Sequence, residues 1–137
     1  MTTTVTVEGD LGTVDALTRL TTQGSVTNPT LNVPAGKSKI TRIIAAAAGD
    51  NAAAGSAVFF LRIGGNAILN GEQSIMISAA GTSTVQAGSD QAPHYAEPIV
   101  IDDADIDVRP SDSFNISAEM AGSDMGTAHV VVTLVFA

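Results

Sequence analysis

Residues 127–136, TAHVVVTLVF, constrain this chain more than any other stretch. Val130, Val132, Leu134 and Phe136 share one parity, and His129, Val131, Thr133 and Val135 share the other. A period of two marks a β-strand, whose side chains point alternately to opposite faces of a sheet. One parity is wholly apolar and the other half apolar. Such a strand is either central in a sandwich or covered on its second face by a neighbouring subunit. Just upstream, Phe114, Ile116, Ala118 and Met120 alternate with Asn115, Ser117 and Glu119. The turn-rich residues 121–126 join the two runs, which reads as a β-hairpin with a longer loop.

The rest of the chain follows the same grammar. Valine and isoleucine together number 24 against seven leucines, and β-branched side chains suit a pleated surface better than a helix. Short runs at 3–8, 30–33, 37–48, 56–63, 67–69, 74–78, 83–87, 98–101 and 106–108 are separated by turn signals such as Pro34-Ala35-Gly36 and Asn70-Gly71. Only residues 13–22, with Val14, Leu17 and Leu20 at helical spacing, suggest a short helix. About eight to ten short strands predict an all-β sandwich or barrel. A length of 137 residues suits one domain, set at residues 25–137, with residues 1–24 as an N-terminal arm or peripheral segment.

Charge narrows the partners. Residues 1–89 hold five acids and five bases, whereas residues 90–137 hold nine acids and one base, Arg109. The net charge of −8 therefore lies in the last third of the chain. An acidic surface repels phosphate backbones and anionic headgroups, so neither nucleic acid nor a membrane surface is expected as a partner. The first twelve residues have no basic stretch followed by an apolar one, and no secretory signal is expected there.

Motifs for catalysis are missing. There is no cysteine, hence no thiolate nucleophile and no disulfide. Gly36-Lys37-Ser38 resembles the end of a phosphate-binding loop, but Leu31 stands where that loop needs its first glycine, and a strand follows rather than a helix. His94 and His129 are the two histidines, and neither lies in an H-E-x-x-H motif; G-x-S-x-G is absent too. The expectation is a protein that is not an enzyme and holds no cofactor. Asn115-Ile116-Ser117 matches a glycosylation sequon inside an expected strand, where chance explains it. The most unusual stretch is Asp102-Asp103-Ala104-Asp105-Ile106-Asp107. Asp103, Asp105 and Asp107 share one face of an extended segment and are candidate oxygen ligands for Ca²⁺. An EF-hand fails, because its glycine position is Val108 and its closing glutamate position is Phe114. An acidic surface turn is the plainer reading, since the apolar parity shifts between Ile101 and Ile106.

The turn and strand VRPSDSFNISAE at 108–119, followed by GTAHVVVTLVF at 126–136, resemble the closing strands of small single jelly-roll virion proteins. These are the coat, decoration and turret proteins of bacterial and archaeal viruses. Residues 31–40, with Pro34-Ala35-Gly36 before a strand, are similar to their opening turn. The resemblance implies an antiparallel β-sandwich of jelly-roll type and a structural virion protein located in the virion. It also implies a homo-oligomer, a trimer, that touches a major capsid protein or other virion proteins. His129, Val131, Thr133 and Val135 are the expected subunit interface. The alternative is a carbohydrate- or receptor-binding β-sandwich module stabilised by Ca²⁺, for which Tyr95 would be the sole tyrosine platform.

Overall fold

Alternating apolar residues can hide one side of a strand but not both, so strands of this kind stack as two sheets with their apolar sides together. The computed structural model describes residues 2–11, 17–22, 31–49, 57–78, 94–95, 99–122 and 128–137. Its strands are β1 (Thr3–Leu11), β2 (Thr18–Arg19), β3 (Leu31–Asn32), β4 (Lys39–Gly49), β5 (Ala57–Gly64) and β6 (Gln73–Ser78). The later ones are β7 (His94–Tyr95), β8 (Ile99–Ile101), β9 (Ile106–Asp107), β10 (Ser113–Gly122) and β11 (Ala128–Phe136). Among the described residues, the first sheet runs β1-β11-β4, with the short strands β7, β8 and β9 all along the far side of β4. The second runs β2-β10-β5-β6, with β3 also on β10. All pairings are antiparallel.

The protein is thus an all-β sandwich, and its connectivity is that of a jelly roll. β4 pairs with β11 in one sheet and β5 with β10 in the other, so the two pairs are nested in sequence. Along the described strands the chain changes sheet six times, at β1 to β2, β3 to β4, β4 to β5, β6 to β7, β9 to β10 and β10 to β11. This corrects the hairpin expected at residues 114–136. The two runs are strands, but they lie in opposite sheets. A hairpin and a crossover bury the apolar parity of each strand equally well, so alternation alone does not choose between them.

The core fills the space between the sheets. Val7, Val130, Val132, Leu134, Phe136, Ile43 and Ala45 face Leu61, Ile63, Phe114, Ile116 and Ala118, all essentially inaccessible. Each fully buried valine, leucine, isoleucine or phenylalanine contributes about 1.5–3 kcal/mol. Phe114 and Phe136 meet across the sandwich with ring centroids 5.8 Å apart and planes tilted by 59°. A bulge keeps β4 in phase with this core. Val135 pairs with Arg42 but Phe136 pairs with Ile40, leaving Thr41 as the extra residue. Ile40 and Ile43 therefore both point inward despite their odd spacing.

The expected helix at 13–22 does not form over its described part. Thr18–Arg19 pairs with β10, and Glu8 and Thr21 exchange backbone hydrogen bonds of 2.7 and 3.0 Å. Leu20 is fully buried while Leu17 stays half-exposed, so the two do not share a helical stripe. Gly9 makes room for Leu20: a Cβ there would come within 2.9 Å of the leucine Cδ2. Thr3–Leu11, from the segment expected as an arm, is the edge strand of the first sheet, paired with β11 along its whole length. The run expected at 83–87 lies outside the described residues, and Ile68 forms an isolated bridge to Val108 instead of a longer strand.

The turns expected at Pro34, Asn70 and Arg109 all form, the second with Gly71 N–H donating to Ile68 C=O (3.3 Å). Lys37 N–H donates to Pro34 C=O (3.2 Å) with Gly36 at φ 77°. Asp112 N–H donates to Arg109 C=O (3.3 Å), closing the Arg109-Pro110-Ser111-Asp112 turn, and Asp112 Oδ1 accepts from the Ser113 N–H (2.8 Å) at the start of β10.

Candidate functional site

Turned outward, the first sheet presents the half-apolar parity of β11 flanked by its neighbours. Register builds four rows across it. Thr4, Val135 and Arg42 form one, and Thr6, Thr133, Ile44 and Val100 the next. Glu8, Val131 and Ala46 follow, then Asp10, His129 and Ala48. Between Arg42 and His129 the β11 and β4 columns of this face carry no charge, while Glu8 on β1 stands opposite Val131. Val131, Thr133, Val135, Ile44 and Ala46 are half-buried, and Val100 is 47% exposed. Thr6 and Thr133 hydroxyls hydrogen-bond across the strands at 3.0 Å, which removes some of their demand for water. The structure therefore brings the four expected interface residues onto one outward surface and adds Ile44, Ala46 and Val100. Only register reveals those three, because β4 and β8 are distant in sequence.

Charges sit at the ends of this face. His129 Nδ1 lies 2.7 Å from Asp10 Oδ1, and its Nε2 lies 4.0 Å from Glu8 Oε2. At the opposite end Arg42 Nε meets Asp102 Oδ1 at 2.9 Å. His94 is in β7, paired with Gly49 at the edge of the same sheet.

The acidic run 102–107 wraps the edge of β4 as turn and strand. Asp105 sits in the left-handed region at φ 52°, between β8 and β9, where the parity shift in the sequence pointed. Lys39 Nζ reaches Asp105 Oδ1 at 2.5 Å and Asp107 Oδ1 at 3.4 Å. Its pKa is raised above 10.5 by the hydrogen bond to Asp105, then by that to Asp107, then by their charges. Lys39, Thr41, Asp102, Asp103 and Asp105 line an open depression of about 380 Å³. Of the three expected Ca²⁺ ligands, the fold brings Asp105 and Asp107 together on a lysine. No three histidine or acidic side chains among the described residues are placed to hold a metal. Nothing in a strand's local pattern could have named Lys39, which lies 66 residues from Asp105.

The second sheet's outer face differs. Arg19, Ser117, Arg62 and Ser74 form one row, and Arg62 reaches Glu119 at 3.4 Å. Ser117 is 5% exposed between its two arginine neighbours.

No protein-family model matches the chain, and no curated protein matches it in sequence. Among solved structures it is similar to the PRD1 vertex protein P5, at 12% identity and a TM-score of 0.41. That similarity covers 96% of this chain and 94% of the other. A likeness at that level bears on neither identity nor activity.

Proposed function

We propose that this chain is a structural protein of a virus particle, a self-associating jelly-roll domain that decorates or helps build a capsid. The observation that carries the reading is the uncharged centre of the first sheet's outer face. The net charge of −8 comes from residues 90–137, so the surface around that third repels its own copies. Around Val131, Thr133, Val135, Ile44 and Val100 two copies can meet without that repulsion, and apolar surface leaves water. The likeness of residues 108–119 and 126–136 to the closing strands of small virion proteins supports the same role, with a closed ring, a trimer, as the assembly. A closed ring also covers sheet edges that otherwise invite aggregation.

Size sharpens the reading. Three inter-strand gaps of about 4.8 Å and six residues of about 3.4 Å give a face of roughly 300 Å². A stable contact buries about 800 Å² per partner. The uncharged patch is therefore the centre of the contact, and the charged ends of the same face belong to its rim. Light scattering on Val131→Asp and Val135→Asp tests the role. Both variants should lose assembled mass while keeping the wild-type circular dichroism; unchanged mass in both retires this face as the interface.

A further inference from the structure

Asn70-Gly71 stands in the turn between β5 and β6. Asparagine before glycine is a chemical weak point as well as a turn signal, because the glycine nitrogen reaches the side-chain carbonyl with no Cβ in its way. Both residues are exposed, and the space a Cβ would fill at Gly71 is open. The Gly71 N–H donates to Ile68 C=O at 3.3 Å, longer than an ordinary amide hydrogen bond, so it is weakly held. The carbonyl is held firmly. Asp107 N–H, on β9, donates to Asn70 Oδ1 at 2.7 Å. A donor so placed stabilises the oxyanion that forms when a nucleophile adds to the carbonyl carbon. The other asparagines among the described residues are guarded. Asn66 precedes buried Ala67, whose N–H donates to Ser113 C=O at 2.8 Å, and Asn32 precedes buried Val33, whose N–H donates to Asp112 C=O at 2.9 Å. Asn115 precedes Ile116, fully buried within β10.

We infer that Asn70 is a site of spontaneous modification, where the folded chain deamidates through a succinimide with hydroxide and water as co-reactants. Hydroxide takes the Gly71 amide proton, and the nitrogen forms a bond to Asn70 Cγ. The Cγ–Nδ2 bond then breaks. The departing nitrogen takes a proton from water and leaves as ammonia, which restores the hydroxide. Water opens the ring at either carbonyl. Breaking the bond from Gly71 N to Asn70 Cγ gives aspartate. Breaking the original peptide bond instead gives isoaspartate, whose main chain runs through Cγ and is longer by a methylene. The consequence falls on the acidic edge of the first sheet. Leu69 N–H donates to Asp107 C=O at 3.0 Å, so Leu69 and Asn70 together clip Asp107 through both its backbone groups. Asp107 in turn lies 3.4 Å from Lys39 Nζ. Aspartate at position 70 keeps an acceptor for the Asp107 N–H and adds a negative charge there. Isoaspartate changes the length of the clip and loosens the hold on β9.

The experiment is peptide mapping by mass spectrometry of the full chain aged at pH 7 and at pH 9, folded and in parallel in urea. In the folded sample the mass change from amide to acid should appear at Asn70 before Asn32, Asn66 or Asn115, and sooner at pH 9. Asn70→Ser should lose that conversion. The isoaspartyl fraction of the wild-type chain, separated by chromatography, should melt below fresh protein. Conversion at Asn70 in urea but not in the folded chain overturns the inference, because the turn then shields the site. Conversion of Asn66 as fast as Asn70 in the folded chain overturns it as well, because exposure and the Asp107 N–H then make no difference.

Discussion

The two sheets hide equally apolar inner faces yet turn different outer faces to their surroundings. On the second sheet one outward row is Arg19, Ser117, Arg62 and Ser74, with Glu119 paired to Arg62, and the next sets half-buried Phe60 beside Glu119. Long charged stems there cover the strand surface and keep their heads in water, as a solvent-facing sheet does. On the first sheet the corresponding rows hold Val131, Thr133, Val135, Ile44 and Ala46, and charge is pushed to the ends. Both surfaces belong to one small domain under one solvent, so solubility alone does not account for the contrast. The contrast is what the self-association proposed above would require.

The largest effect comes from placing a charge on either side of β11. Val132→Asp puts an unpaired carboxylate into the core, where Val132 is fully buried, and costs more than about 4 kcal/mol. Against a total stability of about 5–15 kcal/mol, that leaves little or no folded protein by circular dichroism. Val131→Asp, one residue away on the outer side, should move the melting temperature of the protomer by only a few degrees while removing assembled mass. Equal melting in the two variants would mean that the outer face is not a separate surface.

Next in size is a change that should cost stability without touching assembly. Gly65, in the turn after β5, has φ 106°, and a Cβ there would lie 2.8 Å from Phe114 Cα. Neither side of that clash is a flexible side chain. Gly65→Ala should cost about 1–3 kcal/mol and lower the melting temperature by several degrees. Its oligomeric mass below the transition should match wild type. The same mass should survive Arg62→Gln on the second sheet. Loss of mass in Arg62→Gln would reverse the assignment of the two faces.

How much of this was open to reading in the sequence depends on the range of the interaction. The two parities of residues 127–136 mark an inner and an outer face because strand geometry is local, and the structure puts Val130, Val132, Leu134 and Phe136 inside. The Pro34 and Arg109 turns are equally local. The partner of each strand is not. Residues 114–122 and 128–136 look like neighbours because the chain between them is short, yet one belongs to each sheet. The bulge at Thr41 hides the inward pointing of Ile43 from any simple count of two. The misread helix has a similar cause: Leu17 and Leu20 fit a helical stripe, but pairing with β10 satisfies the backbone around Leu20 directly. The outer face shows the same limit, since its β11 column was visible and its β4 and β8 columns were not.

A smaller effect separates an ion from a lysine at the acidic edge of the first sheet. Asp105 and Asp107 already have a cation in Lys39, so adding millimolar Ca²⁺ should leave the melting temperature of the wild-type chain unchanged. A rise that disappears in Asp103→Ala with Asp105→Ala would establish a bound ion and favour the ligand-binding reading of the domain.

The smallest expected effect concerns the same lysine and the pH scale. Folding raises the pKa of Lys39 above 10.5, so the folded chain holds that proton more tightly than the unfolded one. The resulting stabilisation is complete below pH 10.5 and fades as pH rises through the higher folded value. The pair is surface-exposed and screened, so its share of stability shrinks further in high salt. Lys39→Met should therefore melt slightly below wild type at pH 8 in low salt, and the gap should narrow with added salt and at strongly alkaline pH. Because Lys39 lies at the start of β4 opposite Asp107, beyond Arg42 and outside the uncharged rows, its loss should leave assembled mass as it was. A drop in mass would extend the contact around β4 onto the acidic edge, making the uncharged face one part of a larger surface.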